Sequence, residues 1–425
     1  MRIGICGLGT VGSGAFNLLR DNGAEITRRI GRDISIAQVG CRRDHPDCDL
    51  SSADVTRDIF EVAENPDVDI VLELIGGTDD AKRLVLQAIA AGKHVVTANK
   101  ALIAEHGDEI FAAAAKSGVQ VRYEAAIAGG IPIVKAVREG LAANRIGWLA
   151  GIINGTSNYI LTEMSKPGSN ADFAAVLKDA QDLGYAEADP TFDVEGIDAA
   201  HKLTILSSVA FGMPLRFDAI YTEGISEITT QDIEYARELG YAIRHLGITS
   251  SDGDTVELRV HPCLVAMDHM LAQVNGVMNA VMVSGDAAGP TLYYGAGAGS
   301  GPTASAVIGD VIDIVRSKGV DTVANLGFTA LDDRRVVDIT EITTSAYLRL
   351  MVADEPGVMA RISTILSQHK ISIEALIQKN AQGDDAHVVI ITNDVLEKDL
   401  NTAMEELASL KETKGEIARI RVAAF

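Results

Sequence analysis

The sequence has few aromatic side chains, few cysteines and a shortage of positive charge. Aromatic residues make up 4% of its 425 residues, with a single tryptophan. Its 37 lysines and arginines are outnumbered by 59 aspartates and glutamates, which gives a formal net charge of −22. Because a chain this acidic repels nucleic acid and anionic membrane surfaces, we expect neither nucleic acid nor a membrane among its partners.

The four cysteines, at positions 6, 41, 48 and 263, have neither metal-site spacing nor partner histidines nearby. We interpret them as reduced thiols. No apolar run reaches the ~18 residues of a membrane span. The sequence opens with a strand pattern and not with a secretory signal. Together these absences predict a cytoplasmic protein.

The length predicts more than one domain, because 425 residues exceed one ordinary core. The patterns predict an α/β protein with three parts. Residues 1–133 begin with a strand pattern and a G-x-G-x-x-G turn, and we expect them to form a Rossmann-type dinucleotide-binding domain, to which the helix after about residue 300 returns. Residues 134–320 form an α+β domain, and residues 345–425 form a βαββαβ domain. A charged connector at residues 321–344 precedes this last domain.

A glycine-rich turn follows the first predicted strand, residues 2–6. GLGTVGSG places Gly7, Gly9 and Gly12 in G-x-G-x-x-G spacing ahead of a helix. In dinucleotide-binding folds the first two glycines permit a tight turn and close approach to the pyrophosphate, and the third lets helix and strand pack. The helix N-terminus offers free N–H groups to phosphate. The order of strand, turn and helix therefore predicts a dinucleotide site.

The second predicted strand, residues 34–39, ends at GCRRD. An NAD-specific fold usually carries an acidic residue there for the ribose hydroxyls, whereas Arg42 and Arg43 suit a 2′-phosphate. We therefore predict NADP as the cofactor, with NAD tolerated. Two solvated surface arginines are the alternative.

Two further segments follow predicted parallel strands. TANKALIA places Lys100 after the strand at residues 94–97, at the sheet edge where ligands of open α/β sheets bind. EAAIAGGIPIV begins with Glu124, after the strand at residues 119–123. Its carbonyls would join Glu124 around a small cation, because hard cations take oxygen ligands. A hinge between domains explains this second segment equally well.

The stretch GYAEADPTFDVEGIDAAHK, residues 184–202, sets five carboxylates ahead of one lysine. Its helical part places Asp198 and Lys202, four residues apart, on one face. A neighbouring carboxylate holds an ammonium in place and shapes its pKa, and a lysine can supply the proton that carbonyl reduction needs. The other carboxylates suit the α-ammonium of a substrate. A solvated acidic loop is the alternative.

Asn154, Thr156 and Ser157 in NGTSNYIL are either helix caps or pocket residues. Farther on, a second glycine-rich turn, YYGAGAGSGPTASAV, leads into an apolar helix predicted from about residue 303. This turn either closes over the cofactor or returns the chain to the first domain.

Five segments together resemble homoserine dehydrogenases: GLGTVG, TANKALIA, NGTSNYIL, GYAEADPTFDVEGIDAAHK and GAGAGSGPTASAV. The resemblance covers most of residues 1–320. It implies reversible, NAD(P)H-dependent reduction of L-aspartate 4-semialdehyde to L-homoserine, on the route to threonine, methionine and isoleucine. It also implies that residues 134–320 are the catalytic and oligomerisation domain of a dimer or tetramer. Another NAD(P)-dependent enzyme of amino-acid metabolism and a non-catalytic redox sensor are the alternatives.

The resemblance also implies residue roles. Lys202 is the acid–base group, and Lys100 supports it. The substrate positions are Gly184, Glu187, Asp193 and Asp198. The cofactor contacts, with the glycine motif, are Gly7, Gly9, Thr10, Val11, Gly12, Arg42, Lys100 and Gly299. A monovalent cation such as Na⁺ is held by Glu124, Ile127, Gly129 and Ile131.

The C-terminal segment DEPGVMARI resembles the ACT regulatory domain. The resemblance implies an effector loop at residues 354–358, with Asp354, Gly357 and Val358, that faces Gln378. Threonine, as the pathway end product, is the expected feedback inhibitor. Because the connector is charged, we expect it to be exposed and the ACT domain to move as a separate body. An ACT domain that only dimerises is the alternative.

Overall fold

The computed structural model describes residues 1–166, 168, 171–317, 326–328, 331–380 and 385–424. Of the predicted connector, residues 321–325, 329 and 330 lie outside the described residues. Two large sheets organise the described part, one of six strands and one of eleven. The α/β fold class predicted from the sequence is confirmed.

The six-stranded sheet is parallel throughout, in the order β3-β2-β1-β4-β5-β6. Its central strands are apolar and buried, as helices on both faces of a parallel sheet require. The strands are β1 (Arg2–Cys6), β2 (Ser35–Gly40), β3 (Asp54–Thr56), β4 (Ile70–Glu73), β5 (His94–Thr97) and β6 (Val121–Arg122). The helices are α1 (Thr10–Ile30), α2 (Ile59–Glu64), α3 (Asp79–Ala90) and α4 (Lys100–Ser117).

The middle part of the chain supplies most of the second sheet and the helices packed on it. Its helices are α5 (Ile133–Lys135), α6 (Gly155–Met164), α7 (Phe173–Asp182), α8 (Thr191–Val194), α9 (Ile197–Phe211), α10 (Thr230–Glu238) and α11 (Ser300–Arg316). Its strands are β7 (Ile146–Ile152), β8 (Tyr221–Thr222), β9 (Tyr241–Ser251), β10 (Thr255–Ala266), β11 (Met278–Gly285), β12 (Gly289–Ala296) and β13 (Arg335–Val336).

Helix α11 packs on the parallel sheet of the first domain, although it follows the second sheet in sequence. Ala304, Val307 and Val311 are buried in one apolar cluster with Ile5 and Phe16. The side chain of Ser300 donates a hydrogen bond to the backbone oxygen of Thr10 at 2.9 Å. This return brings the glycine-rich turn before α11 next to the glycine-rich turn after β1.

The C-terminal part has the βαββαβ order that the sequence predicts, with two short extra strands that pair with each other. The elements are β14 (Thr343–Thr344), β15 (Ala346–Ala353), α12 (Val358–Gln368), β16 (Ile373–Asn380), β17 (Asp385–Thr392), β18 (Val395–Leu396), α13 (Glu397–Ala408) and β19 (Thr413–Val422). Strand β16 lies at the end of the eleven-stranded sheet.

The expectation that this C-terminal part moves as a separate body is wrong. The eleven-stranded sheet runs continuously from the middle domain into the C-terminal one, because β19 pairs in parallel with β10. Strand β13, in the predicted connector, also pairs with β10. Main-chain hydrogen bonds therefore join the two parts, and a charged connector did not indicate this pairing.

Buried ion pairs strengthen the same junction. Asp232 of α10 is 1% exposed and accepts hydrogen bonds from Arg349 at 2.7 Å and from the Tyr347 hydroxyl at 3.0 Å. Arg421 of β19 donates to Glu397 at 2.7 Å and to Glu223 of the middle domain at 2.7 Å. Charges this deeply buried require partners, and here the partners lie on both sides of the junction.

None of the helices in the described part of the chain combines the length and apolar character needed to cross a membrane. All four cysteines are buried and unpaired, in agreement with the predicted reduced thiols.

Candidate active site

A cavity of about 590 Å³ lies between the carboxyl edge of the parallel sheet and the middle domain. It brings together predicted residues that are far apart in sequence. From the cofactor set it is lined by Thr10, Val11, Lys100 and Gly299, and from the substrate set by Gly184, Asp193 and Asp198. The predicted acid–base residue, Lys202, lines it as well. One continuous space therefore joins the N-terminus of α1 to the predicted acid–base lysine.

Asp198 lies between two ammonium groups. Its Oδ2 is 2.6 Å from the Nζ of Lys202, and its Oδ1 is 3.1 Å from the Nζ of Lys100. Asp198 occupies the first turn of α9, where the helix dipole favours a carboxylate. Lys100 begins α4, where the dipole disfavours an ammonium. The carboxylate thus offsets the unfavourable position of Lys100 and holds Lys202.

Lys202 is buried, and its ammonium is held at two points. Besides Asp198, it donates a hydrogen bond to the backbone oxygen of Ile153 at 2.8 Å. A lysine ammonium has three donors, so one N–H remains for a group in the cavity. Burial lowers the pKa of Lys202, and the charge of Asp198 partly opposes that shift. Lys202 is therefore closer to neutral at physiological pH than an ordinary lysine.

The pKa values of the charged groups around Lys202 are shifted in different directions. The charge of Asp198 raises the pKa of Lys100 despite its partial burial. Burial alone would raise the pKa of Asp198, but the two lysines and their hydrogen bonds outweigh it and hold that pKa well below its usual range. Burial raises the pKa of Asp193. Permanent charge thus sits on Lys100 and Asp198, whereas Lys202 is the lysine whose proton is easier to remove.

Asn154 is both a helix cap and a site residue, the two interpretations that the sequence left open. Its Oδ1 accepts the backbone N–H of Ser157 at 2.8 Å and so caps α6. Its Nδ2 donates to Asp193 and to Asp198, each at 2.8 Å. The amide therefore separates two carboxylates that would otherwise repel, and its orientation is fixed by the cap.

The five carboxylates of residues 184–202 divide into groups with different environments. Asp193 and Asp198 line the cavity. Glu187 is exposed outside the cavity, although its charge contributes to the raised pKa of Lys100. Asp189 accepts the backbone N–H of Thr191 at 3.1 Å, and Glu195 accepts the hydroxyl of Ser226 at 2.5 Å. The solvated-loop alternative thus holds for part of the stretch only.

His201, next to the lysine in sequence, points away from the cavity. Its ring stacks on Phe217 with a centroid distance of 4.2 Å and on Phe192 at 5.4 Å. The helical period predicted this direction, because adjacent helix residues are about 100° apart.

The glycine turn after β1 has the close contacts expected of a dinucleotide site. Gly7 has φ +98, and a Cβ at Gly12 would lie 1.9 Å from the Gly7 oxygen. A Cβ at Gly9 would meet nothing within 4 Å. Gly9 is therefore open on the side where a phosphate would approach. These features, with the free helix N-terminus, fit a pyrophosphate.

Comparison with known proteins agrees with this geometry. Family models match residues 7–124 as the NAD-binding domain of homoserine dehydrogenase, residues 132–312 as homoserine dehydrogenase and residues 346–412 as an ACT domain. A homoserine dehydrogenase of Pseudomonas aeruginosa is 56% identical over 99% of this chain and 98% of its own length. The chain belongs to the homoserine dehydrogenase family.

Solved structures give the same result. A homoserine dehydrogenase from Thiobacillus denitrificans has a TM-score of 0.94 and 52% identity, covering 100% of this chain and 98% of its own. A hyperthermophilic archaeal homoserine dehydrogenase in complex with NADPH has a TM-score of 0.62 and 25% identity, covering 78% of this chain and 99% of its own. The match of residues 7–124 to an NAD-binding domain agrees with the dinucleotide geometry of the turn after β1.

Arg42 and Arg43 of this family member lie at the carboxyl end of β2, and both are exposed. Among the described residues neither forms a salt bridge, although Arg57 nearby pairs with Asp44 at 2.9 Å. Their guanidinium groups are therefore available to a ligand at this end of the sheet, beyond the cavity itself.

The predicted cation segment forms a tight turn beside the cavity. Ala128 and Gly129 have φ +51 and +52, and a Cβ at Gly129 would lie 2.5 Å from the oxygen of Gly297. The buried carboxylate of Glu124 accepts backbone N–H groups of Val134 and Lys135 at 2.9 and 2.8 Å. The Ile131 oxygen accepts the N–H of Ile133 at 2.8 Å. The segment is thus partly committed to internal hydrogen bonds.

The predicted effector loop lies at the N-terminus of α12. Asp354 and Gly357 are exposed, Val358 is buried, and Gln378 donates a hydrogen bond to Asp354 at 3.3 Å. The predicted approach of Gln378 to the loop is therefore present. Gly357 has φ +91, which favours glycine at this position.

The two glycines of the nucleotide turn make separable predictions. Gly9→Ala should lower the melting temperature only slightly, because Gly9 is the N-cap of α1, where alanine is less favourable. It should weaken NADPH binding at least tenfold, because the new methyl group projects into open space at the phosphate site. Gly12→Ala should lower the melting temperature markedly and also weaken NADPH binding, because its Cβ would collide with the Gly7 backbone. Thermal unfolding and fluorescence titration with NADPH measure the two effects. Gly23→Ala, in open space inside α1, is the control: it should leave NADPH binding unchanged and raise the melting temperature slightly, because alanine favours a helix over glycine. A normal NADPH affinity in Gly9→Ala would contradict the placement.

Proposed function

We propose that this chain catalyses the reversible, NADP-dependent interconversion of L-aspartate 4-semialdehyde and L-homoserine in the cytoplasm, in the synthesis of threonine, methionine and isoleucine. The observation that carries the proposal is the Lys202–Asp198–Lys100 arrangement at the end of a nucleotide-binding cavity. Membership of the homoserine dehydrogenase family supports the substrate pair.

The chemistry assigned to the chain is proton transfer at the substrate oxygen. The nicotinamide, when bound, supplies or accepts the hydride. During aldehyde reduction, Lys202 donates its remaining N–H proton to the oxygen as negative charge develops there. During homoserine oxidation, neutral Lys202 accepts the hydroxyl proton. Ile153 and Asp198 keep its nitrogen in place in both directions.

The amino-acid end of the substrate requires carboxylates for its ammonium group. Asp193 and Asp198 line the cavity, and Gly184 borders it. Glu187 is exposed in the same loop and would have to turn inward to reach the substrate. We propose Asp193 and Asp198 as the principal carboxylates and retain Glu187 as a loop contact. Lys100, with its raised pKa, remains charged beside the reacting oxygen.

A monovalent cation at the 127–131 turn remains part of the proposal. In the described part of the chain no cluster of three or more histidine, cysteine or acidic side chains could hold a metal, so carbonyl oxygens would have to supply most ligands. Glu124 keeps free lone pairs after accepting two N–H groups. Burial, followed by the charge of Asp310, raises the pKa of Glu124 to about 8. A cation there would bind more tightly as pH rises and Glu124 loses its proton.

We further propose that the enzyme is a homo-oligomer, a dimer or tetramer, and that threonine inhibits it through the ACT domain. The exposed loop at Asp354 and Gly357 supports an effector position. The continuous sheet and the Asp232 and Arg421 ion pairs mean that an effector would act through a packed junction and not through a free tail.

Lys202→Met tests the catalytic role. Turnover of homoserine should fall 10²- to 10⁴-fold. The melting temperature should change little, because methionine fills the space and Lys100 still neutralises Asp198. In the wild type, oxidation should rise with pH as Lys202 loses its proton, with a midpoint below the ~10.4 of an ordinary lysine. Reduction should fall over the same range. Steady-state rates across pH measure the oxidation with NADP and homoserine, and the reduction with NADPH and L-aspartate 4-semialdehyde.

Leu203→Ala is the control for a purely structural effect. Leu203 is fully buried on the same helix, and its truncation should cost about 2–5 kcal/mol of stability while the folded fraction keeps its turnover. Lys202→Met with wild-type turnover at every pH would remove Lys202 from the proposed mechanism. Wild-type protein inactive on homoserine with both cofactors would overturn the proposed reaction.

The double variant Arg42→Ala and Arg43→Ala tests the NADP preference. Charge-assisted hydrogen bonds to the 2′-phosphate are each worth about 1.5–3 kcal/mol. Their loss should weaken NADP binding tenfold or more and leave NAD binding nearly unaffected. The ratio of kcat/KM for the two cofactors measures the change. Equal losses for both cofactors would rule out a role at the 2′-phosphate.

Gly357→Asp tests the effector site. The carboxylate would repel an amino-acid carboxylate at the loop, so sensitivity to threonine should fall 5- to 150-fold, the range of a typical coupling of 1–3 kcal/mol. Activity without threonine should be retained. Gly357→Ala introduces the same backbone strain without the charge and is the matched control. Wild-type enzyme that is indifferent to millimolar threonine would point to another ligand or to a structural domain.

A further inference from the structure

A second cavity, of about 220 Å³, lies between α10, β9 and the turn that follows β10. Residues lining it include Arg237, Tyr241, Arg244, Met267 and Asn275. None of its lining residues borders the candidate active site, so it is a separate space.

Arg244 is buried in the wall of this cavity, and the described part of the chain supplies no counter-ion for it. It is 3% exposed, and its guanidinium donates only to neutral acceptors: the oxygens of Ile243 and Ala272, at 3.1 and 2.6 Å, and the side chain of Asn275 at 2.9 Å. Its Nε is buried and has no hydrogen-bond partner among the residues that the structure describes. Within the described residues no carboxylate lies within 4.0 Å of this guanidinium. Burial accordingly lowers its pKa to about 10.

The other buried arginines of this chain do have acidic partners. Arg122 lies 3.6 Å from Glu139, and Arg421 forms a two-point contact with Glu397. A buried charge without such a partner is strongly unfavourable. Arg244 is therefore an exception that requires a compensating charge from elsewhere, in a chain whose net charge is −22.

A second guanidinium borders the same cavity from its exposed side. Arg237, near the end of α10, donates to the backbone oxygen of Ser165 and, among the described residues, forms no ion pair with a carboxylate. Guanidinium groups bind oxyanions through planar pairs of N–H donors. Arg244 from the interior and Arg237 from the surface thus border one space and bring two positive charges to it.

We propose that this cavity is an anion site for a small oxyanion of phosphate or carboxylate type, held by Arg244 and Arg237. The volume suits a single phosphate or a short carboxylate and excludes a nucleotide. The bound anion would supply the charge that Arg244 lacks, and it would join α10 to the turn at Ala272 and Asn275. Helix α10 also carries Asp232, which pairs with Arg349 of the C-terminal domain. A bound anion would therefore stabilise the helix that contacts this domain.

The test is anion-dependent stability of the full-length protein saturated with NADPH, which keeps phosphate out of the cofactor site. Inorganic phosphate should raise the melting temperature more than potassium chloride at equal ionic strength. Calorimetric titration should give one phosphate site, whose dissociation constant rises at least tenfold in Arg244→Met. Acetate serves as the carboxylate probe; a response to acetate as well supports a general oxyanion site, and a response to phosphate alone supports a tetrahedral one.

Arg237→Met provides a second variant at an exposed position, in case Arg244→Met does not fold. It should also weaken phosphate binding. Arg32→Met, exposed at the far end of α1 and unpaired in the described part of the chain, is the control and should leave phosphate binding unchanged. Equal responses of the wild type to phosphate and chloride would overturn the proposal. So would an Arg244→Met variant that changes the oligomeric state without changing phosphate binding, because Arg244 would then meet an acid of a second copy.

Discussion

The site depends on one buried carboxylate that serves two ammonium groups. Asp198 is 4% exposed and contacts Lys202 and Lys100 on its two oxygens. In such a place a charge is tolerated only when it is paired and hydrogen-bonded. The N-terminus of α9, the two lysines and the Asn154 amide all meet that requirement together. The same constraint leaves Lys202, held partly by a neutral carbonyl, as the lysine that more readily gives up its proton.

This arrangement requires the two separate sheets to keep a fixed position relative to each other. Lys100 begins helix α4, which follows β5 of the parallel sheet, whereas Asp198 and Lys202 come from a helix packed on the second sheet. The turn at Gly129 contacts the backbone of Gly297 so closely that a Cβ at Gly129 would collide with it. Helix α11 then returns to the first domain and buries its apolar face there. Close backbone packing and apolar burial therefore fix the distance between the two lysines.

The C-terminal domain is joined to the same framework. Arg421 pairs with Glu223, and two residues later the N–H of Ile225 donates to the oxygen of Val194 at 2.8 Å, next to Asp193 of the site. These contacts form a continuous physical connection from β19 to the carboxylates of the site. An effector would have to favour one arrangement of this packed junction over another.

The sequence by itself determined the local features. The glycine spacing, the strand–helix alternation and the helical period predicted the nucleotide turn, the βαββαβ order and the shared face of Asp198 and Lys202, because each depends on neighbours in the chain. Only the tertiary structure decided which carboxylates of residues 184–202 reach the cavity, that Asn154 is both a cap and a site residue, and that β19 joins β10. These depend on long-range packing and strand pairing, for which local charge and periodicity carry no signal. The environment of Arg244 belongs to the same class, since only the fold shows that this arginine is buried and that no carboxylate of the described residues pairs with it.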